Sequence, residues 1–316
     1  MQYYNVFLGY KSERNYQENI QHLQDIAYCL ENVSTDEYSA KKILEKLNKK
    51  EGNSLFQIEL LSTYYSAKAS LNLVIMNNLN QFKADAYIAA KLYLLSRTEL
   101  LYTSTGLNTF HFFTALMSDS PALISYLVNN RNIIAAPNIP YEKDISRAFL
   151  NATTLVALAG EWGILQKRCK ALLDDTHKDK KYILEYEFLF ALSNANVSDM
   201  ELVLNKMLEL KLAKKMVHDT VPFFDFYLQV NVLLLAKIAS IHGFHLNIDE
   251  PIAPKELINY SPLEKYDEPY DFMKEFKFDE LLENWIKKWK SDNISSNNIK
   301  IKRKFNILDF LSLFIK

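Results

Sequence analysis

Six glycines in 316 residues constrain this chain more than any other feature. They amount to about 2% where a folded protein carries roughly 7%. Hairpin turns and phosphate-cradling loops hold the backbone at φ > 0, where glycine alone escapes a steric penalty, and helices do not visit that region. Glycine poverty therefore favours an all-α fold. It argues against strand-rich architectures, dinucleotide-binding domains and P-loop enzymes, and neither GxGxxG nor GxxxxGK[ST] occurs.

The apolar pattern has the helical period. Ile20, Leu23, Ile26, Ala27 and Leu30 share one face of a helix expected over 16–32. Ser34-Thr35-Asp36 offers N-cap chemistry for a second helix over 37–49, with Ala40, Ile43, Leu44 and Leu47 at helical spacing. Gly52-Asn53-Ser54 breaks the chain before long helices over 55–79 and 82–101. Three later segments, 112–129, 155–173 and 189–208, share a helix ending in Ala-Leu, a small polar break and a second helix. Ala157-Leu158 and Ala191-Leu192 lie 34 residues apart, the length of a tetratricopeptide hairpin, but Ala115-Leu116 precedes the former by 42. A tetratricopeptide-like repeat and an irregular helical array both remain open. The expected fold is all-α, with stacked antiparallel helical hairpins and one short extended segment near 244–248. Residues 1–260 read as the helical array, with 132–141 (Pro137 and Pro140) as a boundary between two halves, and 261–316 as a C-terminal extension.

Composition narrows the chemistry. A net charge of −1 supplies no global field to recruit nucleic acid. Cys29 and Cys169 are isolated and read as reduced core thiols, with a disulfide left open. No uninterrupted run of 18 apolar residues occurs; the longest candidate, 230–241, carries Asn231 and Lys237. A soluble, cytoplasmic protein without a membrane partner is expected. His242 and His245 flank Gly243 at an expected helix end and do not share a face, so no metal site is expected. His111, His218 and the pair Asp174-Asp175 fall in no catalytic pattern, and GxSxG is missing. Neither catalytic residues nor a cofactor is expected. Asp225, set among aromatic residues, reads as a carboxylate at a helix N-terminus.

Composition shifts beyond residue 260. Residues 264–283 hold eight acidic residues and three lysines, interleaved with Tyr266, Tyr270, Phe272, Phe276 and Phe278. Aromatic anchors with acidic steering suit a basic protein partner, and Asp267, Glu268, Tyr270 and Asp271 are the candidate contacts. Residues 285–304 are basic, and residues 291–298 read as a linker. The chain ends in an amphipathic segment over 305–316. The basic run reads as a solvated helix face rather than a nucleic-acid contact.

The stretch 222–258 is the most specific. Phe224-Asp225-Phe226 opens it, followed by Leu233-Leu234-Leu235-Ala236, a stop at His242-Gly243, Leu246-x-Ile248-Asp249 and Pro254-x-Glu256-Leu257-Ile258. This pattern resembles the C-terminal part of the Imm49 family, immunity proteins of bacterial polymorphic-toxin systems. The resemblance implies a non-enzymatic protein that binds a cognate toxin, a basic nuclease being one candidate, and occludes its active site. It carries over no catalytic or toxin-contacting residues. Asp225, Gly243 and Pro254 read as punctuation around a buried helix. The rival expectation is a helical-repeat scaffold or regulator holding a peptide or protein partner in a concave groove.

Overall fold

A computed structural model describes residues 13–31, 34–96, 110–131, 147–174, 182–209, 212–213, 221, 223–280 and 284. The boundary expected near 132–141, the basic run, the linker and the terminal segment lie outside the described residues. The fold is all-α. The helices are α1 (Glu13–Tyr28), α2 (Ala40–Asn48), α3 (Ser54–Val74), α4 (Leu79–Leu95), α5 (Phe110–Met117), α6 (Pro121–Asn129) and α7 (Arg147–Leu158). They continue with α8 (Trp162–Leu173), α9 (Ile183–Ser193), α10 (Val197–Leu208), α11 (Val230–Ile241), α12 (Lys255–Ile258) and α13 (Asp271–Glu275). Consecutive helices pack in pairs, most extensively α3 with α4, then α8 with α9 and α9 with α10.

Side-chain amides and hydroxyls set many of the helix starts. Asn53 Oδ1 accepts the Leu55 and Phe56 N–H groups, Asn78 Oδ1 accepts Gln81 N–H, and Asn196 Oδ1 accepts Asp199 N–H. Ser120 precedes Pro121 and accepts Leu123 N–H. Each cap satisfies backbone donors that the first helical turn leaves free. The expected cap at 34–36 fails. The Asp36 carboxylate accepts Tyr38 N–H at 2.7 Å and closes a local turn, so α2 starts at Ala40 behind Ser39.

Among the described residues six helix ends are followed by a left-handed residue, four of them without glycine. Lys50, Asn77, Asp119 and Ala195 all have positive φ, alongside Gly160 and Gly243. At Ala195 the Asn196 N–H returns to Ala191 C=O and Ala195 N–H to Leu192 C=O; Gly243 repeats this through Phe244 to Ala239 and its own N–H to Ser240. This is the Schellman terminator. Asn77, at φ 47°, ends the helix expected over 55–79 before its last turn and lets Asn78 open α4. The three Ala-Leu segments break as expected, at 118–120, 159–161 and 194–196.

The core is organised around α11. Val232, Leu233, Leu234, Leu235, Ala236, Ile238 and Ala239 are all buried, and the helix touches α5, α7, α9, α10 and α12. A helix apolar on every side belongs in an interior, where each large aliphatic side chain contributes about 1.5–3 kcal/mol. No strand forms at 244–248; the one bridge in this region joins Glu250 and Ala253. The segment nonetheless alternates: Leu246 and Ile248 are buried while His245 and Asn247 are exposed. Two-residue periodicity here reflects an extended chain lying on a helical core rather than sheet pairing.

Candidate functional site

The aromatic opening of 223–228 is a turn that plugs the core. Phe224 lies against Phe113 (5.2 Å between ring centroids) and Phe82 (6.2 Å), and Phe226 against Tyr16 (5.9 Å). Phe223 sits at φ +77°, an outlier for a bulky residue. Its carbonyl accepts the Ser70 hydroxyl at 2.7 Å. Asp225 is not at a helix N-terminus. Helix α11 begins at Val230, with Gln229 at its N-cap and no side-chain capping bond. Asp225 belongs to the turn, where its N–H donates to Val221 C=O. Burial pushes its carboxyl up to about 7, against a smaller opposing effect of its own backbone N–H.

Gly243, at φ +83°, terminates α11. Pro254 precedes α12, and the Asp249 carboxylate accepts Lys255 N–H at 3.0 Å there. His242 packs edge-on against Trp162 (4.7 Å) with Nε2 2.9 Å from Ala157 C=O, while His245 is exposed. Burial lowers the His242 pKa. Among the described residues no group of His, Cys, Asp and Glu could hold a metal ion. Both cysteines are free; burial pushes the Cys169 thiol up to about 12.

The four candidate partner contacts separate. Asp267 and Asp271 point outward, with side chains 77% and 96% exposed, and pair with Lys265 and Lys274. Glu268 turns inward, only 17% exposed, and binds Lys91 Nζ and the Tyr87 hydroxyl (2.6 Å). It is therefore not a free surface acid, because the positive charge of Lys91 is buried beneath it. Tyr270 stacks on Phe272 (5.5 Å, 10°) and meets Tyr65 edge-on. The acidic-aromatic stretch is not a continuous helix. It is a strap over α4 and α6: Tyr266 and Phe278 lie on Tyr87, and Phe276 and Phe278 on Tyr126. Its exposed charges are Glu264, Asp267, Asp271, Glu275 and Asp279 against Lys265, Lys274 and Lys277. Interleaved lysines leave little acidic field.

The most concentrated polar chemistry lies under this strap. Asp119, in the turn between α5 and α6, is bound by Lys237 of α11 at 2.5 Å and Lys83 of α4 at 2.8 Å, and all three side chains are at most 3% exposed. Lys237 also donates to Asn259 C=O (2.9 Å) and Lys83 to Ser261 C=O (2.7 Å), while Ser261 N–H donates to Asp119 (3.2 Å). Burial pulls the Lys237 ammonium down to about 8, against the attraction of Asp119. A third buried lysine, Lys91, binds Phe276 C=O (3.1 Å) and lies over the Phe278 ring (4.7 Å). The sequence signal for this cluster was lysine inside apolar helical windows; Lys237 reads as an interruption of 230–241, but nothing local names Asp119 as its partner.

A half-open crevice lined by Phe112, Leu150, Asn151, Thr154, Glu185, Asn231, Leu234 and Leu235 has a cavity volume of about 20 Å³. That holds a water molecule, not a peptide. No helix among the described residues is long and apolar enough to cross a membrane. Comparison with family models, with curated proteins and with solved structures finds no match for this chain.

Proposed function

We propose that the protein is an immunity protein that binds a cognate bacterial toxin in the cytoplasm and covers its active site. The observation that carries this reading is the 222–258 pattern itself, whose described residues hold defining places in the fold. Its aromatic opening fills the core, its apolar helix is α11, its Gly243 is a terminator, and Asp249 caps the short helix after Pro254. A sequence pattern tied to the framework leaves the surface free to vary with the partner. The charged groups nearest the strap are used internally, which makes the helical body a rigid platform. A preformed surface loses little entropy on binding, so a few anchors yield high affinity.

Steering by the strap rests on Asp267 and Asp271, the two of the acidic candidates that face solvent. Co-expression tests the function: if a toxin domain is encoded beside this chain, the chain should restore growth to cells producing it. Failure to restore growth, with both proteins present and folded, overturns the proposal. Reversing Asp267 and Asp271 together should slow association with a basic toxin and flatten its salt dependence. Unchanged kinetics would move the contact off the strap while leaving rescue intact.

A further inference from the structure

The strap over residues 259–278 is attached differently from the rest of the molecule. Within residues 260–280 every backbone–backbone bond among the described residues outside α13 is local: Met273 to Tyr270, Phe276 to Met273 and Glu280 to Lys277. No backbone ladder joins this segment to the helices. Attachment comes instead through side chains at two places. At one, Lys83, Lys237 and Asp119 hold the Asn259 and Ser261 backbone, and Ser240 Oγ accepts Tyr260 N–H at 2.8 Å. At the other, Lys91 and Tyr87 hold Glu268, and Lys91 also holds Phe276 C=O. Between them the Tyr266 hydroxyl donates to Ser118 C=O (2.8 Å) and accepts Leu263 N–H. Met273 and Phe276 are the fully buried anchors.

We infer that this strap is a lid, latched by Asp119 and Glu268, that opens as a unit while the helices beneath stay folded. Three features lead there. The helices under it complete their own backbone bonding, so they do not need the strap as a backbone partner. The latches are charge-assisted contacts, which fail abruptly when one charge is removed because the partner charge is left buried. A segment with no backbone hydrogen bonds to its neighbours is a natural unit of local, cooperative opening. The geometry also sets what opening uncovers. Lys83, Lys91 and Lys237 aim their ammonium groups at the strap; Asp119 is the counter-charge of Lys83 and Lys237 in the helical body, Lys91 has its counter-charge Glu268 on the strap, and Tyr87 and Tyr126 contact the strap's rings. The open form presents a cationic, aromatic-lined face that the closed form hides.

Hydrogen–deuterium exchange on the full chain tests this. Ser240→Ala loosens the first latch by removing the acceptor of Tyr260 N–H without touching the Asp119 cluster that also joins α4 and α11, and Glu268→Gln loosens the second from the strap side. The expected result is exchange over residues 260–278 faster by about tenfold or more, with amides of α4 and α11 unchanged and far-UV circular dichroism as in the parent. Exchange that rises in α4 or α11 together with the strap would make it part of one cooperative core, and an unmoved strap in Glu268→Gln would remove the latch; either result overturns the inference.

Discussion

Asp225 offers the sharpest quantitative test. Its carboxyl lies in the turn ahead of α11, where burial raises its pKa to about 7. An unfolded aspartate titrates near 3.9, so the difference is about three units, worth about 1.36 kcal/mol each. A carboxyl with the higher pKa in the folded state binds its proton more tightly there. Below about pH 4 both states are protonated and no cost appears. As pH rises from about 4 to 7 the unfolded chain ionises freely while the folded one resists. Stability is lost over that window by at most about 4 kcal/mol. Partial exposure of the carboxyl brings the expected figure to about 2–4 kcal/mol. Asp225→Asn keeps the shape and removes the charge. Urea denaturation at pH 4, 6 and 8 should show parent and variant nearly equal at pH 4, with the variant more stable by a widening margin up to pH 8. Parallel curves, or a variant less stable at pH 8, would refute the view that Asp225 is a buried cost.

The buried cluster should respond asymmetrically. Asp119→Ala leaves two uncompensated ammonium groups and should cost about 3–5 kcal/mol, whereas Lys237→Met leaves Lys83 paired with Asp119 and should cost clearly less; urea midpoints rank the two. Because burial lowers the folded pKa of Lys237 to about 8, parent stability should rise as pH increases from about 8 to 10, and Lys237→Met should flatten that rise in thermal melts. Ala195→Gly relieves a left-handed alanine and should stabilise by about 1 kcal/mol, while Gly243→Ala imposes the same strain with open space around the added methyl and should cost about 1–2 kcal/mol. A shift of melting temperature in the same direction for both would contradict the shared terminator.

Much of the fold was legible along the chain because its determinants are local. Glycine scarcity and the 3.6-residue period give an all-α protein, and Asn53, Ser120 and Asn196 cap helices where short polar residues precede apolar runs. Failures came where the same chemistry had a nearer competitor. Asp36 closed a turn on Tyr38 instead of capping a helix. Asp225 stood too far ahead of Val230 to meet its free N–H groups. Residues 244–248, expected only as a short extended segment, lie outside any helix or strand and alternate in burial, so that expectation is not among the failures.

The candidate site was less legible, because pairing across 118 residues between Asp119 and Lys237, or 177 between Lys91 and Glu268, leaves no mark in local spacing. Glu268 and Asp267 are neighbours of identical charge in the sequence; one faces solvent and the other answers a buried lysine on α4. The sequence alone determined that the chain is helical, where many of its helices begin and end, and that α11 must lie inside. Tertiary structure decided which charges meet, since an ion buried in an apolar interior must find its counter-charge wherever packing brings one.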